Sequence, residues 1–234
     1  MKIGMAGIDG LSSGKINLID KRIDALQKMF NSAKKVYIQA ELIIENEKLK
    51  EADGLLSAQD AKADFILSDL EFVENRLERA QDEAEKKLLS RFKEVLDKER
   101  FISELTLTEE ESRLISGYPL LTVKPIFLAT ASDLEDRDKL FLSAYTYFGY
   151  LSFFTAAEKE AHAWPLKKGS SAWEAAGCIH SDIQKGFIRA EVVDFQDLSN
   201  DGSLSQARNH NHLRLENKEY IVQDGDYMLF RFNK

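Results

Sequence analysis

The chain has 234 residues, 44% apolar and 31% charged, with a net charge of −8. That size and mixture allow one large core or two small ones, and the acidic balance argues against broad attraction to nucleic acid, DNA included, or to an anionic membrane, while leaving room for a local basic surface. The single cysteine, Cys178, excludes an intramolecular disulfide and suits a reducing cytosol. No window has the apolar length of a membrane-crossing helix, and the first residues lack a signal-peptide pattern, so the expectation is a soluble cytoplasmic protein.

In chain order, residues 2–8 read as a short buried strand followed by a Gly- and Ser-rich turn at 9–14. Ile23, Leu26, Met29 and Phe30 predict an amphipathic helix over 20–30. Residues 35–44 are β-branched and apolar and predict one strand, with a second short piece at 52–57 beside it. From 61 to 98, Ile66, Leu70, Val73, Leu77, Ala80 and Ala84 recur at alternating spacings of four and three, a heptad seam on a charged helical arm. The arm is either one long helix or a hairpin turning near 81–85.

Thr108 and Glu111 form a capping-box pair for a short helix. Residues 121–130 predict a strand that becomes regular only after Pro125, and 139–150 a helix. A helix over 171–185 and a terminal pair of strands follow. Residues 213–215 and 220–222 flank Glu216-Asn217-Lys218 as in a hairpin, and Asp224-Gly225-Asp226 supplies a second turn.

Three tail segments, 175–182, 185–191 and 220–233, closely resemble the C-terminal TGS domain of YchF-type Obg-like ATPases. Shorter pieces resemble other parts of that family. They are 20–26 with Phe30 and Lys34-Lys-Val36, 67–79 in the helical arm, 107–111 with 120–125, and 152–160 with Ala163-Trp164. The resemblance implies a β-grasp, ubiquitin-like tail domain, a nucleotide-binding domain in front of it, and a docking or regulatory role near RNA or the ribosome.

The nucleotide motifs depart from that pattern. A phosphate loop has the form G-x-x-x-x-G-K-[ST], in which backbone N–H groups and Lys hold phosphate and Ser or Thr holds Mg²⁺. The only Gly-Lys pair is Gly14-Lys15; Asp9 stands where the first Gly belongs and Ile16 where the metal ligand belongs. Glu45-Asn-Glu-Lys-Leu replaces the Asp-x-x-Gly switch. Thr130-Ala-Ser-Asp133 replaces the base-reading Asn-x-x-Glu, and a hydroxyl cannot copy the two-point contact of an Asn amide.

Other residues with chemical potential favour structural roles. Small residues precede Cys178, so Cys178, His180 and Asp182 read as a buried thiol and a hydrogen-bonded His rather than a metal site. His210 and His212 lie in a polar loop without a nearby acid pair, and read as solvated. The tail cations Lys167, Lys168, Lys185, Arg189, Arg214 and Arg231 are the candidate partner or RNA surface.

The combined expectation is an α+β protein: a reduced nucleotide-domain remnant (1–60 and 118–146), a helical coiled-coil arm (61–117) and a TGS β-grasp domain (147–234). It is read as a shortened family member that binds a protein, ribosome or RNA partner without catalysis. No cofactor or metal is expected, and self-association through the arm stays open. The alternative is an ATPase or GTPase binding ATP or GTP with Mg²⁺ through Gly14 and Lys15.

Overall fold

A computed structural model describes residues 1–8 and 10–233, so Asp9, which the sequence reading sets where a phosphate loop would begin, lies outside the described residues. The chain runs β1 Lys2–Ala6, β2 Gly14–Leu18, α1 Arg22–Met29, β3 Lys34–Val36, β4 Ile38–Ile43 and β5 Gly54–Ala58. Then come α2 Lys62–Arg79, α3 Glu83–Leu96, α4 Glu109–Leu114, β6 Ile126–Ala129, α5 Arg137–Tyr147, β7 Tyr150–Ala156 and β8 Glu160–Lys167. The chain ends with α6 Ala172–Ile179, α7 Ser181–Lys185, β9 Phe187–Asp194, α8 Phe195–Asp201, α9 Leu204–Asn209, β10 Arg214–Glu216 and β11 Asp226–Phe232. Two compact units result: Met1–Ile16 with Ala40–Leu140, and Asn17–Gln39 with Phe141–Lys234.

The α+β expectation holds at the level of two sheets with helices. The first sheet has the order β2-β4-β1-β5-β6, with β1 parallel to both β4 and β5, and β5 parallel to β6. The 52–57 piece pairs with β1 and β6, not beside the preceding strand. The single strand expected over 35–44 is two strands in different sheets, because β3 pairs in parallel with β8 while β4 pairs with β1. Residues 17–39 accordingly group with the C-terminal part, although the sequence counts them with the front part.

The arm is a short antiparallel hairpin. Ala80 leaves the helix in an extended conformation, and Asp82 caps α3 by accepting the Glu85 N–H at 2.9 Å. Lys93 reaches Glu74 at 2.6 Å, and Arg76 Nε donates to Glu85 at 2.6 Å. The seam holds at Ile66, Val73 and Ala80, but Ala84 is exposed because the helix has already broken. Leu88, Leu89, Phe92 and Leu96 of α3 join Ile43, Leu55 and Ile126 of the sheet in one core. At its base, buried Asp69 accepts backbone N–H groups from Leu121 at 3.1 Å and Thr122 at 2.7 Å.

The second sheet is mixed, in the order β10-β9-β11-β7-β8-β3. One face buries Leu151, Phe153, Leu166, Ala190, Val192 and Met228 with Ala172 and Ala175 of α6. On the other face, Phe30 beside α1 stacks on Tyr227 with ring centroids 5.0 Å apart, and Phe195 of α8 packs on Phe154 at 6.3 Å. Each aromatic ring fully withdrawn from water contributes about 1.5–3 kcal/mol. Arg22 of α1 ties down its helix by donating to Asp20 and, at 2.7 Å, to Asp224.

Two tail expectations change. The helix over 171–185 is two helices, broken at His180, whose backbone is extended (φ −165°, ψ 141°) and whose ring caps α7. No 213–222 hairpin forms, because β10 pairs with β9 while Ile221 bridges to Ser171. Gly225 does take positive φ, 95°. Gly186 is required for a different reason: a Cβ there would lie 2.1 Å from the Asn233 carbonyl oxygen.

Candidate functional site

Parallel strands place their carboxyl ends on one edge, the usual ligand edge of an open α/β sheet. In the first unit that edge gathers the loop after β1, Glu45 after β4, the end of β5 and Thr130–Asp133 after β6. Several of its described polar groups pair within that edge. The Ser13 hydroxyl donates to Glu45 at 3.0 Å and accepts the Ile44 N–H at 3.3 Å. Ser57 donates to the Ala6 carbonyl at 2.8 Å. Thr130 donates its hydroxyl (2.7 Å) and its N–H (2.8 Å) to Asp133.

These contacts hold carboxylates on the edge. Backbone N–H donation and the Ser13 hydroxyl keep Glu45 below the usual carboxylate range, and the Thr130 hydroxyl and N–H do the same for Asp133. Gly14 and Lys15 are exposed residues of strand β2. A phosphate cradle needs a helix N-terminus directly after its Gly-Lys; here a strand follows, with Ile16 in the place of the metal ligand. Among the described residues, Gly14-Lys15 is therefore strand and not the loop-to-helix junction that a phosphate cradle uses.

The second unit offers a different surface. In the β9–β11 ladder Arg189 stands directly opposite Arg231, and Glu191 opposite Leu229; from β10, Leu215 stands opposite Glu191. These residues alternate on the sheet face that carries Tyr227 and Val193, past the end covered by Phe30 and Phe195. Leu215 is 57% and Leu229 47% exposed. Glu191 is buried between two arginines: Arg208 from α9 donates to it at 3.2 Å, and Arg231 makes a short contact on its other oxygen. Among the described residues Arg189 has no acidic partner. Glu191, Arg208, Leu213, Arg214, Leu215 and Arg231 line an open groove of about 240 Å³.

The six cations named from sequence thus divide. Arg189 and Arg231 are cross-strand neighbours, and Arg214 borders the same groove while also donating to Tyr220 at 3.0 Å. Lys185 ends α7 just before Gly186, whose carbonyl accepts the Asn233 N–H at that end of the sheet. Lys167 lies elsewhere, at the end of β8 with its ammonium 5.7 Å from the Tyr150 ring centre, and Lys168 follows it. Arg208, Glu191, Leu215 and Leu229 are missing from the sequence reading. The period-two alternation 189-191-193 against 227-229-231 is the signal that exposes Glu191 and Leu229.

The remaining candidates also shift. Cys178 is exposed, not buried, and His180 Nδ1 accepts the Asp182 N–H at 3.1 Å, so these residues form a helix cap. His210 and His212 are not simply solvated: both Nδ1 atoms meet Asp201, at 2.6 and 2.7 Å.

A family model described as YchF-GTPase_C, protein of unknown function (DUF933), matches residues 150–233. The chain is 32% identical over 246 residues to the ribosome-binding ATPase YchF of Bacillus subtilis (strain 168), covering 77% of this chain and 67% of that one. Its similarity to the ribosome-binding ATPase YchF of Mycoplasma genitalium is 30% over 244 residues, covering 97% and 65%. With the Obg-like ATPase 1 of Bos taurus it shares 44% over 81 residues, 35% of this chain and 20% of that one. The solved structure of the Schizosaccharomyces pombe YchF GTPase has the same fold, with a TM-score of 0.76 at 16% identity over 99% of this chain and 97% of that one.

These names correct one expectation. The sequence reading assigns no cofactor, but the relatives are named ATPases and the structural neighbour a GTPase, so nucleotide belongs to the chemistry of this group. No described helix is long and apolar enough to cross a membrane. With identity spread over two thirds of a curated YchF sequence, on a fold shared with a YchF GTPase, the chain belongs to the YchF family.

Proposed function

We propose that this YchF-family protein is a regulatory docking protein of the ribosome, and that its contact surface is the Arg189–Arg231 end of the second sheet. The observation that carries this is Arg189 standing directly across from Arg231. Like charges at a cross-strand position repel each other, and a phosphate backbone removes that repulsion while gaining two charge-assisted contacts. Glu191 neutralises Arg208 and Arg231 only in part, and exposed Leu215 and Leu229 add apolar area beside the cations. The relatives' name, ribosome-binding ATPase, supplies the partner. In this reading the second unit is a TGS-type β-grasp module, and the α2–α3 hairpin is the family's helical arm. The activity is binding, not turnover.

The test is co-sedimentation of the full chain with ribosomes, with Arg189→Glu and Arg231→Glu as the perturbation. A second reading, nucleotide hydrolysis, is favoured by the relatives' names. A phosphate-release assay with ATP and GTP, with and without ribosomes, distinguishes the two: stimulated release would replace the docking reading with the enzymatic one.

A further inference from the structure

Asp201 is the last residue of α8, and its carboxyl is 5% exposed. Gly202 (φ 73°) turns the chain, and Ser203 caps α9 by accepting the Gln206 N–H at 3.3 Å. The helix stops at Asn209, and Asn211 takes the left-handed conformation, φ 62°, which Asn tolerates better than most side chains. That single left-handed residue turns two neighbours, His210 and His212, back toward one carboxylate. Their backbones are fixed, because His210 N–H donates to Gln206 at 2.9 Å and His212 N–H to Ala207 at 2.9 Å.

Each imidazole takes a different oxygen: His210 Nδ1 lies 2.6 Å from Asp201 Oδ1 and His212 Nδ1 lies 2.7 Å from Oδ2. One ligand atom from each of the three residues lies within 4.8 Å of the others. Two imidazole nitrogens and a carboxylate oxygen match a borderline divalent ion such as Zn²⁺, at bonds of about 2.0–2.2 Å. Tetrahedral coordination spaces ligand atoms about 3.4 Å apart, so the present Nδ1-to-oxygen pairs, at 2.6 and 2.7 Å, open slightly when the ion enters. Three protein ligands leave a fourth position for water.

We propose that Asp201, His210 and His212 form a binding site for a divalent transition metal, with Zn²⁺ the best-matched ion. The metal replaces the hydrogen bonds from the two rings to the carboxylate and locks the end of α8 to the turn that leads into β10. Each ligating Nδ1 must be free of its proton: a neutral ring moves it to Nε2, and a protonated ring releases one to the buffer, so the buffer-dependent heat is read at mildly acidic pH. The site is independent of the docking surface proposed above and does not require it.

The test uses the full chain, stripped with a chelator and titrated with ZnCl₂ by calorimetry in two buffers of different ionisation enthalpy. One equivalent is expected, with buffer-dependent heat and a rise in Tm that grows with Zn²⁺ concentration. His210→Asn and His212→Asn are each expected to weaken binding by about 10–100-fold, and the double substitution to abolish both the heat and the Tm response. His180→Asn, with a cap in place of a ligand, leaves both unchanged. Absence of stoichiometric binding to the folded wild type overturns the proposal. So does binding that survives in a double variant with wild-type circular dichroism.

Discussion

Lys15→Ala separates a phosphate-holding lysine from a strand lysine. A lysine in a phosphate loop makes charge-assisted hydrogen bonds of about 1.5–3 kcal/mol, so its loss weakens nucleotide binding by about 10–150-fold. Lys15 here is an exposed residue of β2, preceded by Gly14 at φ 146° and followed by more strand, where a phosphate loop would have a helix N-terminus to assemble backbone donors. Its contribution to nucleotide affinity is therefore expected to be only the screened attraction of a surface charge, about twofold or less. Calorimetry of wild type and Lys15→Ala with ATP and GTP, each with Mg²⁺, reads this directly. Superimposable isotherms are expected, whatever affinity the wild type shows. A tenfold or greater loss in the variant would refute the reading of Lys15 as a strand lysine.

Asp69→Ala leaves two buried backbone donors, from Leu121 and Thr122, without an acceptor. The expected cost is about 2–5 kcal/mol, read by urea unfolding, and a change below about 1 kcal/mol contradicts this assignment. Burial also raises the Asp69 carboxyl above its ordinary value. The stability this group adds is thus fully present below its unfolded pKa and lost as pH rises through the folded one. Unfolding midpoints at pH 7 and pH 4 are expected to show wild type gaining on Asp69→Asn in acid; a gap that moves the other way contradicts the sign. Arg22→Met removes the ties to Asp20 and Asp224 and strands a nearly buried Asp20 carboxylate. A loss of about 2–4 kcal/mol is expected, and thermal denaturation within about 2 °C of wild type counts against it.

Local signals were legible in the sequence, and signals that depend on distant partners were not. The Thr108–Glu111 capping box involves residues three apart and forms as expected, with Glu111 N–H on the Thr108 hydroxyl at 3.1 Å and Thr108 N–H on Glu111 at 2.9 Å. Pro125 delays β6 until Ile126, since Pro has no N–H for the ladder. The apolar run 35–44 hides a change of sheet at Tyr37, because β-propensity reports a pleated, half-buried environment and not which partner supplies it. The hairpin expected at 213–222 fails for the same reason: turn residues favour reversal, but β9 is the better partner for β10. His210 and His212 read as solvated because their acceptor, Asp201, lies nine and eleven residues upstream, beyond any local pattern. The tail cations were found by type, but only the β9–β11 register reveals that Arg189 and Arg231 face each other while Lys167 stands apart.

The docking account rests on that pair. Full-length wild type and Arg189→Glu/Arg231→Glu, matched in circular dichroism and thermal midpoint, are sedimented with purified ribosomes at low and at physiological salt. The wild type is expected in the ribosome pellet, with occupancy falling as salt rises, and the double variant in the supernatant at both salt concentrations. Equal pelleting of both proteins, or a wild type that stays in the supernatant even at low salt, would contradict the account.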